Sequence, residues 1–339
     1  MARVLVIKMS ALGDVVLATP QIEAVCAHHA RDEVWLLTGP DMEGLFRHHP
    51  ELRVAVLDRS DTFGTAGLFG RIRWARRTGF DVVYDLQGNR TSRRVARWSG
   101  APKRVGTQPW RAYTHHPELP YTPEVRQNVF DRLNETIVSG GLPPAEPRGR
   151  LYPSPEDVEA AQRFMDRHGL VPGGFACIHP GSSPEWPSKR WPLDSVRDLA
   201  RAIERAGVRC VFVGSGPDSK INRALAMEVG VDATEAFSVP GLYEFGGRAR
   251  FAVCMDSAPM HVLAASGIPV YTIYGPTSPV RTHGLGQGGR VVSLELPCAP
   301  CYKGTCPPGH HHRCMAELTP DEVLRRISEL RPEAGKPGR

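Results

Sequence analysis

No stretch of this 339-residue chain approaches the ~20 consecutive apolar residues needed to cross a bilayer. The apolar start at residues 4–7 is too short for a secretory leader and runs straight into a loop. Both absences point to the cytoplasm. Also missing are a G-x-x-x-x-G-K-[ST] phosphate loop and any D-x-D pair that would hold a divalent cation beneath a diphosphate. Aromatic residues make up only 7% and are not interleaved with the basic stretches, so no base-stacking surface is expected and no nucleic acid partner. Charge is nearly balanced, 42 Lys and Arg against 36 Asp and Glu. The net +6 favours anionic partners such as phosphates or acidic lipid headgroups.

What is present is a globular composition, 41% hydrophobic, with 34 glycines and 31 prolines falling between short apolar runs. That spacing is expected of many strand-to-helix turns. Strands are expected at 4–7, 34–37, 54–57, 82–86 and 104–106, with helices at 71–78, 92–98 and 128–138. Residues 140–147, rich in Gly and Pro, read as a linker. They divide a first domain at 1–147 from a second domain at 148–339. The second series has strands at 176–178, 208–213, 251–255 and 270–274, and a short one at 290–294. Its helices are expected at 193–205, 219–229, 243–249, 259–265 and 320–330. Alternation of this kind predicts an α/β protein of two doubly wound, Rossmann-like parallel sheets facing across a cleft.

In such sheets ligands bind where strands end. The first strand leads into Lys8-Met9-Ser10-Ala11-Leu12-Gly13-Asp14, which sets a carboxylate at that edge. Asp14 there serves either as a reacting group or as a helix cap. Three loops of the second half offer anion-binding chemistry. His179-Pro180-Gly181-Ser182-Ser183, followed by Lys189-Arg190-Trp191-Pro192, supplies backbone N–H groups, hydroxyls and a cation suited to a diphosphate. Asp256-Ser257-Ala258-Pro259-Met260-His261 opens a helix whose first amides face an anion. Gly275-Pro276-Thr277-Ser278-Pro279 is the third. Two glycine-rich stretches imitate the dinucleotide fingerprint: residues 284–289 lead into a strand, and residues 214–219 lack the third glycine. A nicotinamide dehydrogenase is therefore not expected.

Four motifs occur in order: Lys8-x-Ser10-x-Leu12-Gly13-Asp14, Asp85-Leu86-Gln87-Gly88, His179-Pro180-Gly181-Ser182-Ser183 with Lys189-Arg190-Trp191-Pro192, and Asp256-Ser257-x-Pro259-Met260-His261. Together they resemble glycosyltransferase family 9, the ADP-heptose:lipopolysaccharide heptosyltransferases. The resemblance implies a GT-B fold and an inverting transfer that needs no metal or other cofactor for catalysis. It implies that Asp14 is the general base. Ser182, Ser183, Lys189, Asp256, Ser257, Ala258 and His261 would hold the donor diphosphate, with Asp218 and Leu242 at the ribose and adenine. Ser10, Gln87, Asn89 and Arg90 fall on the acceptor side. The family has glycine where this chain has Ala258, and the added methyl narrows the approach of a phosphate to the backbone. The implied partners are an ADP-sugar and a glycan or glycolipid acceptor at the inner membrane surface. The rival readings are another GT-B enzyme or epimerase with a different nucleotide sugar, and a metal-stabilised nucleic-acid-binding protein.

Of eight cysteines, Cys26, Cys177, Cys210 and Cys254 sit singly in apolar segments and read as core residues. Cys298, Cys301, Cys306 and Cys314 crowd one late loop around His310-His311-His312. A structural zinc or iron site and plain or redox-paired thiols are both open there. The arginines at 71–77 and 90–97 form solvated helix faces, or a surface for an acidic acceptor or an anionic membrane.

Overall fold

The computed structural model describes residues 1–56, 65–120 and 127–327, and it divides into two compact units, Met1–Tyr152 and Pro153–Arg339. The first contains β1 (Arg3–Ile7), α1 (Leu12–Leu17), α2 (Thr19–His28), β2 (Glu33–Thr38), β3 (Leu52–Val56), α3 (Thr65–Thr78), β4 (Val82–Asp85), α4 (Arg90–Trp98), β5 (Lys103–Gly106) and α5 (Val129–Ser139). Its strands form one parallel sheet in the order β3-β2-β1-β4-β5. Helices cover both faces, so strand residues are apolar on both sides. Leu5 and Ile7 pack with Val83, Ala75, Val95 and Ala96 beneath α3 and α4, while Val4 and Val6 are buried on the opposite face.

The second unit contains α6 (Pro155–His168), β6 (Phe175–His179), α7 (Leu193–Arg205), β7 (Arg209–Gly214), α8 (Ser219–Ala226), β8 (Val231–Thr234), α9 (Val239–Gly246), β9 (Phe251–Met255), α10 (Ala258–Ala265), β10 (Val270–Ile273), α11 (Pro279–Thr282), β11 (Val291–Val292), α12 (Arg313–Ala316) and α13 (Pro320–Arg326). Its parallel sheet runs β11-β10-β9-β6-β7-β8. Alternate residues of β6 feed two separate cores: Ala176 and Ile178 one, Phe175 and Cys177 the other. Cys177, Cys210 and Cys254 are core residues, as expected. Burial pushes the Cys254 thiol up to about 12.

In both sheets the strand order reverses direction once. The first reverses between β1 and β4, the second between β6 and β9. Loops leaving neighbouring strands at that point diverge to opposite faces and open a crevice at the carboxyl edge.

Several elements differ from expectation. The helix expected at 71–78 begins earlier, at Thr65. The strand expected at 290–294 shrinks to two residues, because only Thr272 and Ile273 of β10 pair with it. Leu57 and Leu330, expected in a strand and a helix, lie outside the described residues. The elements not expected include α2, α6 and β8. α6 has clear ends, a Ser154–Asp157 capping box, Pro155 at its first position and Gly169 in the left-handed conformation after it. Its largely polar sequence hides it between those signals. β8 is a half-exposed edge strand. Residues 140–147 are not a loose tether: Leu142 is buried, and Asn134 exchanges two hydrogen bonds with Ala145.

Candidate functional sites of the two units

In the first unit the loop after β1 carries Asp14 into the first turn of α1. The N-cap is Ala11, with no side-chain cap, so Asp14 does not cap the helix. Among the described residues its carboxylate accepts no hydrogen bond and makes no ion pair. A half-buried acid that no structural contact uses is available to a substrate. Lys8 lies behind it, buried at the end of β1. Burial lowers the lysine's pKa, and the charges of Asp14 and Asp85 partly restore it.

This loop is held from β4. Gln87 Oε1 accepts from the backbone N–H of both Met9 (2.8 Å) and Ser10 (3.1 Å). Gln87 is itself set by Asp85, whose Oδ1 accepts from the N–H groups of Gln87 and Gly88, both at 3.0 Å. Tyr113 donates its hydroxyl to the other carboxylate oxygen at 2.7 Å. Gly88 needs its positive φ of 65° for that turn, where a Cβ would also strike Thr107. Of the residues assigned to the acceptor side, Ser10 and Gln87 therefore meet at one place. Asn89 is engaged elsewhere, because its side chain accepts from the N–H groups of Thr91 and Ser92 and caps α4. Arg90 is exposed at the first position of that helix.

In the second unit the loops after β6, β7 and β9 enclose a cavity of about 340 Å³. Ser182, Ser183, Lys189, Asp218, Asp256, Ser257 and Ala258, all expected at the donor, line it. Lys189 Nζ stands 2.7 Å from Asp256 Oδ2 and 3.3 Å from the Asp256 carbonyl, and lies 4.9 Å over the Trp186 ring. Thr277 donates to the same carboxylate oxygen at 2.7 Å. Of the ammonium's three donors, one remains for a ligand. Asp256 thus aims the lysine, and Thr277 from the third loop steadies Asp256.

Behind the cavity, buried His179 joins two loops. Its Nδ1 is 3.0 Å from Ser257 Oγ and its Nε2 is 3.4 Å from Asp218 Oδ2. Burial alone would raise the Asp218 pKa, but the His179 hydrogen bond and charge, with the bonds from Ser215, hold it below the usual carboxylate value. A side chain at Gly181 would overlap this carboxylate. Because the Ser257 hydroxyl is turned to His179 and to the Met255 carbonyl, α10 has no side-chain cap. Ala258, its first residue, lines the cavity with its backbone N–H, whereas Pro259 has none and the Met260 N–H donates to the Ser257 carbonyl at 3.2 Å. The Ser182 hydroxyl bridges the Trp186 carbonyl (2.8 Å) and Arg190 Nε (3.2 Å), so it shapes the loop. Leu242 packs against the core on α9 and His261 is buried on α10; neither lines this cavity.

The late cysteine loop meets this site from outside. Ser188 donates its hydroxyl to the Lys303 carbonyl (2.6 Å) and its N–H to that of Gly304 (3.0 Å). Its own carbonyl lies 2.6 Å from His312 Nε2. Cys298, Cys301, Cys306 and Cys314 are free thiols. Burial and then the nearness of the other three push Cys314 up to about 11. Among the described residues no three Cys, His, Asp or Glu side chains are arranged to hold a metal ion.

The family model of glycosyltransferase family 9 (heptosyltransferase) matches residues 71–312. This chain belongs to glycosyltransferase family 9. It is 26% identical to lipopolysaccharide heptosyltransferase 1 of Pseudomonas aeruginosa, over 98% of this chain and 92% of that one. In fold it is similar to a family 9 glycosyltransferase from Veillonella parvula, with a TM-score of 0.79, 21% identity and 97% of each chain covered. It is also similar to the Escherichia coli heptosyltransferase WaaC with ADP, at a TM-score of 0.70 and 21% identity, over 97% of this chain and 100% of that one. The chain is thus a glycosyltransferase of two parallel-sheet α/β domains, as the ordered motifs imply.

Proposed function

We propose that the chain transfers a heptose from ADP-heptose to a sugar hydroxyl of a lipopolysaccharide-core-type acceptor, with inversion and without a metal at the diphosphate. The observation that carries this reading is the division of chemistry between the units. One presents a carboxylate that no structural contact uses, the other a cavity built for an anion. Asp14 takes the acceptor proton as that oxygen attacks the anomeric carbon. The bond to the ADP oxygen breaks on the opposite face. The charge growing on the departing diphosphate meets the free donor of Lys189 and the N-terminal end of α10 at Ala258. Those groups supply the stabilisation that a cation bound by a D-x-D pair would otherwise give, and activity should persist in EDTA.

The names of the relatives support the heptose and the lipopolysaccharide acceptor, and the cavity supports a nucleotide diphosphate. The test is Asp14→Asn assayed with a panel of ADP-, UDP-, GDP- and CMP-sugars. Stabilisation by ADP-sugars alone, with turnover reduced on the order of 10²–10⁴-fold and donor binding retained, is expected. The anomeric configuration of the product reports inversion. Near-normal turnover of Asp14→Asn would remove the base, and selective binding of another nucleotide would point to a different GT-B enzyme.

A further inference from the structure

Outside both sites the first unit holds an open pocket of about 420 Å³ between α4 and the loop after β5. Its walls include Arg93, Arg94, Arg97 and Arg111 with Trp98 and Trp110. Among the described residues none of these four guanidinium groups has a carboxylate partner, and no acidic residue occurs from Leu86 to Pro117. Concentrating like charge without counter-charge is unfavourable, and the structure registers it. Burial and then the Arg97 charge hold the pKa of neighbouring Arg104 below its ordinary value.

The pocket is nevertheless well supported. Arg93 lies 4.4 Å over the Trp110 ring, Trp110 stacks on Tyr113, and Tyr113 is tied to buried Asp85. Arg104 Nε holds the far wall through the Ala112 carbonyl at 2.8 Å. Guanidinium forks around a cavity, Arg93 among them held on the Trp110 ring, match the oxygens of a phosphate group.

The surroundings suggest where that phosphate is carried. α3 packs beside α4, neither helix contains an acidic residue, and Arg73, Arg76 and Arg77 of α3 are exposed. Two large apolar side chains stand out among these charges, Phe69 at 66% exposure and Trp98 at 52%. Basic residues with projecting Trp and Phe are the composition of a surface that meets a membrane interface.

We propose that this pocket binds the phosphate group of an anionic lipid headgroup and so seats the first unit on a membrane. The inference does not depend on which sugar the enzyme transfers.

Sedimentation of the full chain with phosphatidylcholine vesicles, plain and doped with phosphatidylglycerol, tests it. The wild type should bind only the doped vesicles, and salt should release it. The triple variant Arg94→Gln, Arg97→Gln, Arg111→Gln should bind roughly fivefold more weakly per charge, on the order of 100-fold in all. A control removing three exposed arginines from the second unit, Arg167→Gln, Arg205→Gln and Arg223→Gln, loses the same net charge and should bind nearly as the wild type. ADP affinity, unchanged in both, shows that the fold is intact. Should the pocket variant lose ADP binding, single Arg97→Glu takes its place. Equal loss in the two triple variants would reduce the effect to net charge and overturn the pocket. Inorganic phosphate quenching pocket tryptophan fluorescence, with no affinity for doped vesicles, would overturn the lipid and leave a free-phosphate site.

Discussion

At Lys8 an ammonium is buried at the end of β1, with Asp14 and Asp85 near enough to act on it and burial lowering its pKa from 10.5. A lysine whose folded pKa lies below its unfolded value binds fewer protons in the folded state across the interval between the two. Stability therefore rises with pH through that interval, and the full cost is present below the folded pKa. Lys8→Met removes the charge and keeps the length. It should stabilise the protein by about 1–2 kcal/mol at neutral pH, as relief of a strained functional residue commonly does. The gain should shrink as the pH approaches 10.5, where the lysine loses its proton in both states. Urea midpoints at the two pH values measure this. A less stable Met variant at neutral pH would show that the carboxylates more than compensate for burial. If Lys8 also orients Asp14, the more stable variant turns over more slowly, with donor binding unchanged.

Among the elements, the cysteine loop has acquired a role its composition does not announce. Its backbone and His312 hold the turn at Ser188, next to Lys189. Gly304 lies against the Glu185 carbonyl so closely that a Cβ would overlap it. Gly304→Ala should push that turn aside at a stability cost of about 1–3 kcal/mol, typical of overpacking. Because the turn carries the cation, ADP should bind more weakly while adenosine binds nearly as before. Calorimetric titration of both ligands separates the cases. Parallel losses would mean that the whole donor half is distorted. The same contacts anchor a loop rich in Pro and Gly. It is laid across the Ser188 turn and the loop after β10, where Tyr302 donates to the Pro276 carbonyl at 2.8 Å.

For the whole molecule, each unit has its own parallel sheet and its own cores. The donor cavity draws all its lining residues from the second unit. A ligand confined there stabilises that unit directly, by about 2.7 kcal/mol at a concentration 100 times its Kd. Scanning calorimetry with ADP should raise the melting of the second unit and leave that of the first in place. Fluorescence of Trp35, Trp74, Trp98 and Trp110 follows the first unit, and that of Trp186 and Trp191 the second. A common shift of both would show that the units unfold as one.

The two doubly wound sheets were legible from sequence because strands buried on both faces must be apolar without interruption, whatever surrounds them. β1, β6 and β9 show this directly. The small-residue loops at their carboxyl ends were legible for the same local reason: they must turn tightly. So the loops that carry Asp14, Lys189 and the Ser257 turn could be placed at the carboxyl edges from order and spacing. Which partner each side chain takes was not legible. Lys189 meets Asp256 from 67 positions away, and His179 joins Ser257 to Asp218 across three strands. Those choices depend on the register of the sheet, which brings distant strand ends together. Asn89, expected at the acceptor, also caps α4 through its side chain, a contact set by the local helix end. The cysteines, by spacing alone, allowed a metal site. That this loop docks through its backbone onto the lysine turn was decided only by the fold, because backbone donors and carbonyls carry no side-chain signature in a sequence.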